Sequence, residues 1–158
     1  MSLLLRLEQD HREVLERFSL LTVTLQKTET EGVKSLEGLK DVGAIFDLLK
    51  NKIPDHFASE EKVLFPWLEK IVPNTKGFIS ELLSEHEKIR KDSAELLRDR
   101  SSPQASPERL ANLLKRITES LSAHARKEDE KLLPLVRRFG DEAKLRELDR
   151  LFSEMSHT

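Results

Sequence analysis

Apolar residues recur three and four positions apart through four long stretches of the chain, and each stretch has a histidine inside its apolar stripe. The first predicted helix starts at Ser2, as a cap, and runs to about Gln26, with Leu4, Leu7, His11, Val14, Phe18, Leu21 and Leu25 on one face. A polar stretch from Lys27 to Gly38 either frays that helix or forms the crossing loop. The second helix is predicted from about Leu39 to Ile71, aligning Val42, Phe46, Leu49, Ile53, His56, Glu60, Val63 and Trp67. Pro54 is expected to bend it, because proline lacks the amide donor and crowds a preceding carbonyl, and Pro66 either ends the regular helix or bends it again.

The third stripe, in a helix from roughly Asn74 to Arg98, reads Phe78 or Ile79, Leu82, His86, Ile89, Ser93, Leu96. RSSPQASP, Arg100 to Pro107, is the clearest break in the chain, and Ser106 followed by Pro107 makes a good cap with a first-turn proline. From there the fourth helix runs to about Phe139, carrying Leu110, Leu114, Ile117, Leu121, His124, Glu128 and Leu135 inward, and Gly140 stops it. A short amphipathic helix, Asp141 to Phe152, should pack across the bundle, leaving residues 153–158, with His157, as a loose tail after a domain of residues 1–152. Four long helices with modest connections predict an all-α, antiparallel up-and-down four-helix bundle with a short C-terminal helix.

That architecture makes the histidines informative. At 1.5 Å per residue His11 and His86 lie roughly 12 to 18 Å from the starts of their helices, and Glu60 and Glu128 roughly 16 Å from the ends of theirs. In an antiparallel bundle all six side chains therefore reach one layer. HFASEEKVLFP (His56 to Pro66) and HARKEDEKLLP (His124 to Pro134) repeat a histidine, a glutamate four residues on and a proline six beyond that, and DHREV around His11 resembles EHEKI around His86. A lone histidine in an apolar stripe is more often a packing residue. Four of the five histidines at inward positions, two with glutamate one turn on, point instead to metal. Two carboxylates from opposite helices can bridge two cations while four imidazoles divide between them. Glu61, Asp129 and Glu130, off the stripe, are expected to be surface residues, and Trp67 a core plug.

Composition narrows the field. At 158 residues the chain is one domain's worth. Its 27 basic and 29 acidic residues leave a formal charge of -2, which offers no field for nucleic acid or an anionic membrane. No cysteine is present, so thiolate metal sites and thiol catalysis are excluded. The N-terminus is too short and too charged for a signal peptide, and no stretch has membrane-spanning length, so a soluble cytoplasmic protein is expected.

The ordered pattern His11, His56-x-x-x-Glu60, His86, His124-x-x-x-Glu128 resembles the hemerythrin-like family, the HHE cation-binding domain, from His11 to about Phe139. The resemblance implies a non-haem di-iron centre in which Glu60 and Glu128 bridge two iron ions, with or without an oxo or hydroxo bridge, His11 and His56 holding one and His86 and His124 the other. Manganese or a mixed pair satisfies the same donors. It also implies a function: binding, sensing or carrying dioxygen, nitric oxide or peroxide. Repair of damaged iron-sulfur centres, as an enzyme or iron donor, and a metal-stabilised interaction module are the alternatives. Whether it is an enzyme, which protein partner or reductant it uses, and whether it is a homodimer stay open.

The departures are specific. Oxygen carriers have a histidine four residues after the third-helix histidine, where this chain has Arg90, and an aspartate five after the fourth-helix one, where Asp129 sits beside Glu128. Glutamate at the four-residue spacing is closer to the iron-sulfur repair and iron-sensor branches. The repair proteins' fifth histidine falls near Gly32, and the acid that follows the second histidine in the iron-sensor domain of an F-box ubiquitin ligase is Phe57 here. Glu29 or Glu31 is a candidate extra ligand if the first helix reaches that far. Phe18, Leu21, Leu82, Ile89, Ile117 and Leu121 are expected to line the site.

Overall fold

The computed structural model describes residues 2–31, 40–100, 102 and 106–155, and for 23–31, 40–42 and 107 the backbone alone. Five helical rods account for nearly all of them, with no strand among the described residues. They are α1 (Leu3–Glu31), α2 (40–71), α3 (Lys76–Arg100), α4 (107–139) and the short α5 (Glu142–Met155). The start of α1 packs with the end of α2, the start of α3 and the end of α4, so the four long helices alternate in direction.

Local chemistry sets the ends. Ser2 and Ser106 cap α1 and α4, their hydroxyls accepting from Leu5 N–H at 3.2 Å and Arg109 N–H at 3.1 Å. Asn74, at φ 62°, turns the chain between α2 and α3 in a conformation asparagine tolerates better than most residues. Gly140 ends α4 in extended rather than left-handed backbone (φ -85°, ψ 105°). Its lack of a side chain matters for closeness, since a Cβ there would meet the Val136 carbonyl oxygen at 2.7 Å and Leu145 Cδ2 at 2.8 Å, blocking the chain reversal into α5.

Pro54, Pro66 and Pro134 do not end their helices. Each is preceded by a five-residue π turn: Leu48–Lys52 before Pro54, Glu60–Leu64 before Pro66 and Glu128–Leu132 before Pro134. The N–H just ahead of each proline (Ile53, Phe65, Leu133) reaches back five residues, to the carbonyls of Leu48, Glu60 and Glu128. Widening the turn gives the proline ring room and absorbs its missing donor. It also shifts the apolar register beyond Glu128, so Val136 is buried where Leu135 was expected and Leu135 is half-buried.

Two apolar clusters fill the bundle. One joins Val14, Phe18, Leu21, Phe46, Ile53, Ile89, Leu96, Ile117 and Leu121, the other Leu3, Leu7, Leu64, Leu68, Leu82, Leu132 and Val136. α5 closes the second cluster with Leu148 and Phe152. It is anchored by Leu3 N–H to Asp149 Oδ1 at 3.0 Å and by the buried Trp67, whose indole N–H donates to the Lys144 carbonyl at 3.1 Å. α5 runs three residues past the expected Phe152, so Ser153, Glu154 and Met155 are helical and residues 156–158 lie outside the described ones. Polar side chains interrupt the core in a layer between the clusters.

Candidate metal centre

That layer holds His11 from α1, His56 and Glu60 from α2, His86 from α3, and His124 and Glu128 from α4, all buried. The structure brings all six predicted residues together. His11, His56, Glu60 and Glu128 present ligand-type atoms within 4.8 Å of one another, and so do Glu60, His86, His124 and Glu128. Both carboxylates belong to both groups.

Inside the layer, His11 Nε2 and His56 Nε2 face each other at 3.1 Å, and His86 Nε2 and His124 Nε2 at 3.0 Å. His11 Nε2 lies 3.0 Å from Glu128 Oε1 and His86 Nε2 3.1 Å from Glu60 Oε1. Bonds of about 2.1 Å from an octahedral metal would set neighbouring donors about 3.0 Å apart, so these separations fit ligand edges.

Every Nδ1 meets a carboxylate on its outer side: His11 to Asp129 at 2.6 Å, His56 to Asp10 at 2.9 Å, His86 to Glu61 at 2.7 Å and His124 to Glu85 at 2.7 Å. A carboxylate only accepts, so a proton sits on each Nδ1, and with a cation in the layer each Nε2 would turn a lone pair inward. Four lone pairs and two carboxylates thus converge. Glu60 Oε1 and Oε2 and Glu128 Oε2 are buried with no hydrogen-bond partner. Such a set is strongly unfavourable unless positive charge stands among it.

Proton equilibria of the protein groups alone show the same tension. Burial, and then the charge of Glu128, push Glu60 well above the usual carboxylate range. Burial works in that direction on Glu128 too, but the neighbouring Glu60 carboxyl and the imidazoles of His11 and His124 hold it well below. For His11 burial is outweighed by Asp129 and Glu128, which raise it to about 9, whereas burial and the charge of His124 lower His86 to about 4. The donor set fits a pair of cations.

Two expectations change. Glu61 and Asp129 are not merely surface residues: beside Glu60 and Glu128 at the start of π turns, they hold the opposite half's histidines, His86 and His11. Asp10 and Glu85, each just before an α1 or α3 histidine, do the same for His56 and His124. Sequence reading missed these four outer acids, although the paired Asp10-His11 and Glu85-His86, and Glu60-Glu61 and Glu128-Asp129, were a duplicated signal. Glu29 and Glu31 are not extra ligands, because unbroken helix from His11 carries their backbone about 27 Å or more along α1. Gly32 lies outside the described residues.

The surroundings also differ from expectation. Phe57 stacks on the His86 ring with centroids 3.7 Å apart and planes 11° apart, and Phe65 lies at 5.8 Å from the same ring. Arg90 stands over Phe57 at 5.4 Å and donates from Nη2 to Glu61 Oε2 at 2.6 Å. A cavity of about 20 Å³ adjoins the layer, lined by Val14, Ile53, Phe57, Leu121 and Ala125 together with Asp10, His11, Lys52, His56, His124 and Glu128. Of the six apolar residues expected there, only Leu121 lines it.

A helical bundle whose core holds a paired histidine and carboxylate cluster defines a metal-binding four-helix-bundle protein. The hemerythrin HHE cation binding domain matches residues 3–136, and the chain belongs to that family. Searches of curated proteins and of solved structures found no match. The match spans the four long helices up to Val136 and leaves α5 outside it. Among the described residues no helix is long and apolar enough to cross a membrane.

Proposed function

We propose that the protein is a non-haem di-iron protein that binds a small oxidant (dioxygen, nitric oxide or peroxide) to carry or sense it. His11 and His56 hold one iron and His86 and His124 the other, with Glu60 and Glu128 shared. A pair of irons supplies redox electrons and open coordination positions to such a ligand. The observation that carries the reading is the cavity of about 20 Å³ against His11, His56, His124 and Glu128. That volume holds one molecule of water or diatomic size and excludes an organic substrate.

The chain's residues do the remaining work. Asp129, Asp10, Glu61 and Glu85 fix the tautomer and ring orientation of the four histidines. Val14, Ile53, Phe57, Leu121 and Ala125 keep the ligand's surroundings apolar. Arg90, in place of a further histidine, is committed to Glu61 and Glu87, so the two half-sites keep two imidazoles each. Glutamate at the four-residue spacing sets the ligand pattern nearest the iron-sulfur repair and iron-sensor branches, and this favours repair as the second reading. A cytoplasmic setting belongs to both.

Absorption spectra of the iron-loaded protein, taken anaerobically and then with oxygen, nitric oxide or peroxide, test the proposal. A reversible new charge-transfer band is expected. Steady consumption of peroxide or nitric oxide would instead mark an enzyme, and a spectrum unmoved by all three would reduce the metals to a structural role.

A further inference from the structure

We infer that Lys52 gates the small cavity in which ligands meet the centre, an inference that rests on the small-ligand reading above. Lys52 lines the cavity beside His56, four residues before it and one turn nearer the start of α2. Its ammonium crosses to α1, where it pairs with Glu13 and lies 3.6 Å from Asp10 Oδ1. The side chain is 36 % exposed, so it has solvent on one side and the cavity on the other.

The opposite half of the bundle offers the matching cleft with a serine at the position of Lys52. Ser120 stands four residues before His124, as Lys52 does before His56, and Glu85 precedes His86 as Asp10 precedes His11. The cleft lined by Glu85, Lys88, Ser120, His124 and Lys127 is an open surface cavity of about 350 Å³, with Lys127 paired to Glu81 and Glu85 at its rim. On the Lys52 side the corresponding space is reduced to about 20 Å³. With Lys52 across its mouth one cleft is closed; with Ser120 at the matching position, and Lys127 turned to Glu81 and Glu85, the other is open. The lid is held by ion pairs that are partly solvated, and its long side chain can swing out without moving backbone.

Stopped-flow binding of two probes tests the gate: azide to the diferric protein and nitric oxide to the diferrous protein. With Lys52→Ala, association and dissociation of both probes should each quicken by roughly fivefold, the rate equivalent of one lost surface ion pair, with the affinity unchanged. Glu13→Gln should act in the same direction more weakly, and Ser120→Lys should leave the rates as they are. Iron content and melting temperature, measured on each variant, show that the centre and fold are retained. Unchanged rates in Lys52→Ala overturn the gate. Slower azide with unchanged nitric oxide overturns it too, and makes Lys52 an attractor of anions. If the wild-type protein takes up neither probe, the small-ligand reading falls and the gate with it.

Discussion

Helices α1 and α2 build one half of the centre and α3 and α4 the other, and the halves correspond residue for residue through the donors. Asp10 and His11 match Glu85 and His86, while His56, Glu60 and Glu61 match His124, Glu128 and Asp129. The correspondence stops one layer further out. Phe57, the residue after His56, covers the His86 imidazole, while the residue after His124 is Ala125, beside the cavity. The ligand set is therefore close to symmetric and its surroundings are not. Two equivalent half-sites can hold a metal pair, but the clefts beside them differ, one enclosed and about 20 Å³, the other open and about 350 Å³. Duplication accounts for the binding of metal, and departures from it account for access.

The largest effect should come from what both halves share. Glu60→Gln or Glu128→Gln removes a charge common to both donor groups, so each should lower metal content from two per chain to less than one, read by elemental analysis of purified protein. Near-equal losses from the two variants are the mark of a symmetric pair of bridges. Retention of two metals by either variant would sink the bridging role.

Next come the residues that break the symmetry. Phe57→Ala should destabilise the protein by about 3 to 5 kcal/mol, since it empties a buried site stacked on His86. Ala125→Phe should fill the cavity and abolish the nitric oxide adduct, at about 1 to 3 kcal/mol of overpacking. Denaturant unfolding and the anaerobic nitrosyl spectrum separate the two results. An undiminished adduct in Ala125→Phe would place ligand binding elsewhere.

The outer acids should matter less. Asp129→Asn, Asp10→Asn, Glu61→Gln and Glu85→Gln each replace a charged acceptor of an Nδ1–H by a neutral one. Each should weaken metal binding by about 10- to 100-fold, measured by competition with a chelator. The cations beside them differ: Lys52 lies near Asp10, Arg90 on Glu61 and Lys127 on Glu85, whereas no lysine or arginine pairs with Asp129 among the described residues. Asp129→Asn should therefore weaken binding most, on the side of His11.

These residues also mark where the sequence became hard to read. The helices and the six inner donors follow from a period near 3.6, because each donor occupies an apolar stripe and one histidine per helix sets the layer's depth. A regular period assigns only one of two adjacent residues to the core, so Glu61 and Asp129 were set outside. The π turns before Pro66 and Pro134 changed that geometry, and a fixed period carries no sign of them. The proline six residues after each glutamate is the available signal, although from sequence Pro66 reads only as a helix end or a bend and Pro134 carries no such reading. Phe57 beside His86 is a contact between helices, which a stripe along one helix does not encode.

Arg90 should have the smallest effect and the one most revealing of the asymmetry. Its guanidinium shares Glu61 Oε2 with the His86 Nδ1–H and stands over Phe57, so it ties the acid and the aromatic cover, both from α2, to the imidazole of α3 in one assembly around His86. In the other half Leu15 occupies the matching position, four residues after His11. Arg90→Gln should cost about 0.5 to 1 kcal/mol of stability through the lost cation–π contact and a partly exposed ion pair. Both metals should remain, because no inner donor changes. Glu61 would then serve His86 alone and hold more of its negative charge at that imidazole, so the Mössbauer signals of the two irons should shift unequally, the His86 side moving more. Equal shifts at both irons would mean that Arg90 acts on the bundle as a whole rather than on one half of its centre.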